Sequence, residues 1–160
     1  MTEINFLICA RGSAIDRFSN SLSIFDIFES LTPESFPILI PRFVVIASVT
    51  RDEREEKPVI EATLKVSAGD RAYVDGTMTF TFHKESPVSR SIAEFQGLPI
   101  TGPSPIDVFL KLPNGNSKLT RIAIRPANRL KRVVRRSKAQ TPSASAAQKQ
   151  EIEKLPPKGK

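Results

Sequence analysis

Few residues of this chain could do chemistry. It holds one histidine, His83, and one cysteine, Cys9. A zinc or iron site needs several His, Cys or carboxylate ligands converging on one ion, and this pair is a poor start for one. No metal and no other cofactor is expected. His83 follows Phe82 and precedes Lys84 and Glu85, which reads as an exposed strand end. As a general base it would need a nucleophile beside it, yet no G-x-S-x-G elbow exists. Cys9 lies in an apolar run, where a thiol behaves as a small hydrophobe. The 7 glycines are scattered, with neither G-x-G-x-x-G nor G-x-x-x-x-G-K-[ST] among them to cradle a phosphate. The acidic run 52–56 has no alternating Asp/Asn pattern and no Gly, and Arg51, Arg54 and Lys57 neutralise it; it reads as a solvated connector rather than a calcium loop. A working pair of carboxylates is a spatial arrangement that sequence does not single out. The expectation is a non-enzymatic protein with no small-molecule substrate.

One cluster does stand out. Arg129, Lys131, Arg132, Arg135, Arg136 and Lys138 put six cations within ten residues, with no acid among them. Residues 1–126 carry 14 Lys+Arg against 15 Asp+Glu, a net of −1; residues 127–160 carry 10 against 2, a net of +8. The basic pI of about 9.9 therefore describes a tail and not a basic globular surface. A polyanion binding such a segment releases counterions, so affinity falls steeply with salt. Nucleic acid is the commonest such partner. An anionic membrane ranks below it, because Leu130, Val133 and Val134 form only a thin apolar stripe without an aromatic. A solubilising tail with no specific partner is the plain alternative.

The remainder of the chain must fold without staples, since a single cysteine makes no internal disulfide. About 125 residues are enough for one domain. The dominant period is two. Ile60, Ala62, Leu64 and Val66 alternate with Glu61, Thr63 and Lys65; Met78, Phe80 and Phe82 alternate with threonines; Ile106, Val108, Leu110 and Leu112 alternate with Asp107, Phe109 and Lys111. Each run reads as a strand with one dry and one wet face. Residues 4–10, 22–28, 89–96 and 118–124 are further strands. The continuous apolar run 43–50 is a central strand covered on both sides. Asn114-Gly115 predicts a hairpin with a type I′ turn. Asp75-Gly76 predicts a second tight hairpin, and Ala68-Gly69-Asp70 another turn. Pro33, Pro37 and Pro41 predict a loop over 32–41. No segment before residue 126 gives a convincing helix.

Seven to nine short strands with such turns predict an all-β fold, a two-layer antiparallel β-sandwich over residues 1–126, with a barrel as the alternative. Residues 127–160 read as a basic, Ala/Ser/Pro-containing flexible tail, disordered or partly helical around 128–138. Phe109 falls out of phase with its apolar neighbours. It predicts either an anchor for a protein partner or second copy, or a second buried sheet face.

The segments NSLSIFDIFESL and FPILIPRFVVIASV within residues 20–49, SRSIAEFQGL at 89–98, and the closing Gly-turn hairpin 105–124 resemble a family of small uncharacterised bacterial β-sandwich domains. The resemblance covers most of residues 1–125 and none of the tail. It implies a bacterial β-sandwich and no activity, and it transfers no catalytic or ligand residue. No secretory signal or membrane-spanning stretch is visible, so a cytoplasmic location is expected. The two function classes carried forward are an interaction module whose tail contacts nucleic acid, and a structural subunit of a larger assembly that binds through a sheet face or edge.

Overall fold

The computed structural model describes residues 1–52, 57–84 and 86–127. All belong to the first of two units into which the chain divides, Met1–Arg129 and Leu130–Lys160. Among the described residues there are nine strands and no helix: β1 (Glu3–Ile15), β2 (Leu22–Ile27), β3 (Ser30–Leu31), β4 (Ile38–Thr50), β5 (Val59–Ala68), β6 (Arg71–Thr81), β7 (Val88–Ile100), β8 (Ile106–Lys111) and β9 (Ser117–Ile124). They form a four-stranded sheet in the order β2-β1-β4-β7 and a five-stranded sheet in the order β3-β9-β8-β5-β6. The two pack face to face as a sandwich.

The period-two pattern builds the core between them. Ile60, Ala62, Leu64 and Val66 of β5, Met78 and Phe80 of β6, and Ile106, Val108 and Leu110 of β8 point inward from one sheet. Leu7 and Cys9 of β1 and Phe43, Val45, Ala47 and Val49 of β4 meet them from the other. Phe43 stacks on Phe28, with ring centroids 5.6 Å apart. At Asn5 the register of β1 against β4 slips by one residue. Such a bulge shifts the inward phase from Ile4 to Leu7. The side chain of Asn5 holds the bulge: its Nδ2 donates to Ser48 Oγ (3.2 Å), and its Oδ1 accepts from Thr50 Oγ1 (3.0 Å).

β4 is buried on both faces, as its unbroken apolar run requires. The outer cover is local. The hairpin of β1 and β2 folds over the outside of its own sheet, and Leu22 and Ile24 pack with Phe6 on the fully buried Ala10, Val44 and Ile46. Arg90 Nη1 on β7 reaches the Asn20 carbonyl in the hairpin's connection (3.1 Å) and fixes the tip across the sheet.

Several turn expectations are corrected. Asp75-Gly76 is no turn: β6 runs straight through it, pairing Asp75 with Lys65 and Gly76 with Leu64. The alternation of Val74, Gly76, Met78 and Phe80 continues unbroken, so a strand competes successfully with the turn. The reversal occurs at Gly69-Asp70, within the expected Ala68-Gly69-Asp70 turn, with Gly69 at φ +58°. At Asn114-Gly115 the hairpin is present but the turn is not type I′. Only Gly115 has positive φ, and its N–H donates to the Leu112 carbonyl (3.0 Å). Pro113, with its fixed φ, starts a type I turn that Gly115 closes in the left-handed region. Pro41 lies inside β4 and not in a loop. It is tolerated because β1 pairs with β4 only as far as Val44, and the pairing with β7 skips Pro41 opposite Gly97. Gly97 takes φ +71° there, and the inward phase changes on both strands, from Phe43 to Ile40 and from Phe95 to Leu98. The Phe36–Pro37 bond is cis. The sandwich also carries one parallel pairing, the two-residue β3 against β9.

Candidate interaction surfaces

The cations Arg129, Lys131, Arg132, Arg135, Arg136 and Lys138 lie outside the described residues. What the structure places is the surface of the sandwich, and that surface matches its charges locally. On the outer face of the five-stranded sheet, Lys65 Nζ lies 3.2 Å from Asp75, and Arg121 grips Asp107 with two hydrogen bonds of 2.7 and 2.9 Å. On the other sheet, Arg42 grips Glu94 in the same forked manner, both bonds 2.8 Å. Hydrogen bonds from Arg121 and Arg42 hold the carboxyls of Asp107 and Glu94 below their usual range. Asp16, in the β1–β2 connection, is also lowered, by the Ser19 and Phe18 backbone N–H groups it accepts.

Phe109 sits half-buried at the middle of the outer face of the five-stranded sheet, paired with Lys65 on one side and Leu119 on the other. Among the described residues no second layer covers this face. Leu119 is 53% exposed. Phe109 and Leu119 form a small apolar island among Lys65, Asp107, Lys111 and Arg121.

The remaining candidates stay apart. His83 is exposed beside β6 and lines a shallow recess of about 270 Å³ with Asn20, Ser86 and Arg90. Cys9 is buried in the core, and burial pushes its thiol up to about 12. A thiol so placed is unreactive, and no Cys–His pair forms. Asp52 pairs with the Met1 amino group; residues 53–56 lie outside the described set. Among the described residues no three His, Cys, Asp or Glu side chains gather as metal ligands, and no helix is long and apolar enough to cross a membrane.

The sequence reading passed over two features. Phe18, at the tip of the β1–β2 hairpin, is fully exposed; an aromatic inside the turn-forming run Asp16–Asn20 was the available signal. The second is the edge pattern of the sandwich. On one side the edges are sealed. Lys118 Nζ donates to the Asn5 carbonyl (2.7 Å), Thr120 Oγ1 to the Leu7 carbonyl (2.7 Å) and the Phe28 N–H to the Cys9 carbonyl (2.8 Å). On the opposite side β6 and β7, of 11 and 13 residues, end their sheets. A bond from Ser89 Oγ to the Thr81 carbonyl (2.8 Å) ties them at one end. Only topology reveals this, since nothing local marks a strand as an edge.

Comparison with models of known families, with curated proteins and with solved structures finds no match.

Proposed function

We propose that this chain is a non-enzymatic, cytoplasmic interaction module of bacterial type, in which a rigid β-sandwich carries a cationic segment that contacts nucleic acid without sequence preference. The observation that carries this reading is the separation of charge. The cations on the described sheet faces that pair do so with their own carboxylates, leaving the body near neutral, whereas the six cations of 129–138 have no acid among them. Long-range attraction of a polyanion then falls to that segment. If all six cations engage duplex phosphates, log K falls with log salt with a slope of about −5.

The test is a salt titration of duplex and single-stranded nucleic acid binding by the full chain and by a variant with all six cations changed to Gln. The proposal expects the variant to lose retention at low salt and to melt at the same temperature. Equal retention by both proteins rejects it.

A second reading, a structural subunit joined to its assembly through a sheet edge, draws support from β6 and β7, which end their sheets and among the described residues pair with no further strand. Edges of that length are usually blunted by Lys, Pro, bulges or covering segments. The sandwich applies such devices on its β1–β9 side.

A further inference from the structure

We propose that the β7 edge is a self-pairing surface: two copies of this chain join their four-stranded sheets through antiparallel β7–β7 pairing centred on Ile92. The proposal rests on the second reading above and names the partner.

The hydrogen-bond phase of β7 fixes which residues can pair. The Arg51 N–H donates to the Pro87 carbonyl (2.7 Å), in register with the β4–β7 ladder of Val49 with Ser89 and Ala47 with Ser91. In an antiparallel ladder, residues that exchange bonds with the neighbouring strand alternate with residues whose N–H and C=O face away. Val88, Arg90, Ile92, Glu94 and Gln96 therefore direct their backbone groups away from β4; of these the Val88 carbonyl already accepts from Ser86 Oγ (3.0 Å). Among the described residues no strand pairs with that edge.

These five residues are nearly palindromic in chemistry. A twofold axis at Ile92 sets Ile92 against its copy, Arg90 against Glu94 and Glu94 against Arg90. Val88 then faces Gln96. Every outward-facing residue meets another outward-facing residue, as backbone pairing demands. Both charge pairs are of opposite sign, the favourable cross-strand arrangement. The centre is apolar: Ile92 is 37% exposed. A register displaced by two residues at the axis brings either Arg90 or Glu94 against itself. Self-complementarity about an axis is what a twofold interface requires. Between residues 88 and 96 the edge carries no Pro, no Lys and no bulge; the departures, Gly97 and Pro99, come after it.

A symmetric cross-link reads the register directly. The Cα atoms of a bonded antiparallel pair lie about 5.5 Å apart, within the range of about 4.4–6.8 Å that a disulfide spans. Ile92→Cys should therefore give a disulfide-linked dimer of the full chain on mild oxidation, Cys9 being buried. Gln96→Cys, equally at the edge, lies about 27 Å from its own copy in this register and should stay monomeric. In sedimentation, Arg90→Glu should weaken the dimer at least tenfold, and Arg90→Glu with Glu94→Arg should restore it. The double variant still lacks the Arg42–Glu94 bond, so a merely structural role of these residues predicts no rescue. Equal cross-linking at both positions, or no rescue, overturns the proposal. A chain that is monomeric at 100 µM overturns it too. An oligomer that forms with unaltered strength in Arg90→Glu overturns the β7 register while leaving assembly through another edge standing.

Discussion

The hydroxyl of Thr120 on β9 donates to the main-chain carbonyl of Leu7 on β1 across the gap between the two sheets, at 2.7 Å. β1 is paired with β4 on one side over this stretch, and β2 covers only its far half, from Ala10 onward. The Leu7 carbonyl therefore faces the seam, where a strand of another chain would otherwise find it. A side chain of the opposite sheet takes the place of a neighbouring strand. Lys118 does the same for Asn5 two residues away. One side of the sandwich is thus closed by Lys118 and Thr120, which share the inward face of β9 with Ile122 and alternate with the outward Leu119.

Replacing Thr120 by Val keeps the shape and removes the donor. A hydrogen bond of this kind contributes about 1 kcal/mol net, and a half-buried acceptor left without a partner costs about as much again. Thr120→Val should lower the unfolding free energy by about 1–2 kcal/mol in urea titration. Lys118→Met, whose hydrogen bond to Asn5 is open to solvent where that of Thr120 is part-buried, should lower it by less than about 0.5 kcal/mol. Equal losses would show that the seam contributes nothing beyond ordinary surface contacts.

Gly69 holds a conformation that only glycine adopts without strain. Its φ of +58° is left-handed, and a Cβ there would stand 2.9 Å from Ser104 Oγ and 3.3 Å from Ser104 Cβ. Gly69→Ala meets both a backbone cost of about 1–2 kcal/mol and a contact that Ser104 must relieve. Adding Ser104→Gly removes the contact and leaves the backbone cost. The double variant should therefore recover part, and not all, of the stability lost by Gly69→Ala, read as urea midpoints.

The fold was legible where one principle acted alone. Strict alternation marked β5, the second half of β6 and β8, and an unbroken apolar run marked the doubly covered β4. It was illegible where signals competed. Asp75-Gly76 is a turn signal overruled by pairing with Lys65 and Leu64 on β5, a contact no local window contains. Pro41 is a strand breaker made harmless because the ladder with β1 stops at Val44 and the ladder with β7 skips one residue. The cover of Val44 and Ile46 comes from Leu22 and Ile24, some twenty residues earlier, and the alternation of a strand does not say what lies above it. The charges of Arg90 and Glu94 around Ile92 were plain to read. Their symmetry acquired meaning only when the topology put β7 at an edge.

Acid should weaken the sandwich through three carboxylates. Asp107 is held below its ordinary 3.8 by the hydrogen bonds of Arg121, Glu94 below 4.5 by those of Arg42, and Asp16 below 3.8 by the Ser19 and Phe18 N–H groups. A carboxyl lowered in the folded state is more readily protonated when unfolded. Its contribution is complete above the ordinary value and disappears as the pH falls through the lowered one. The urea midpoint should hold between about pH 7 and 5.5 and decline below the 3.8–4.5 range. Asp107→Asn should reduce that decline, and a decline of unchanged size would show that the Arg121–Asp107 pair has no part in it.

Cys9 offers a clean report on the integrity of the core. It is 1% exposed and its thiol is pushed up to about 12 by burial, so at pH 8 the native protein holds almost no thiolate, and a reagent has no path to it. Reaction with an aromatic disulfide should be undetectable over an hour in native buffer and complete within minutes in denaturing urea. Its rate at intermediate urea should follow the unfolded fraction, because exposure of Cys9 requires Leu7, Val45 and the facing sheet to separate together. Substantial labelling in native buffer would mean that β1 detaches from the sandwich without global unfolding, and that the seam at Thr120 and Leu7 opens on its own.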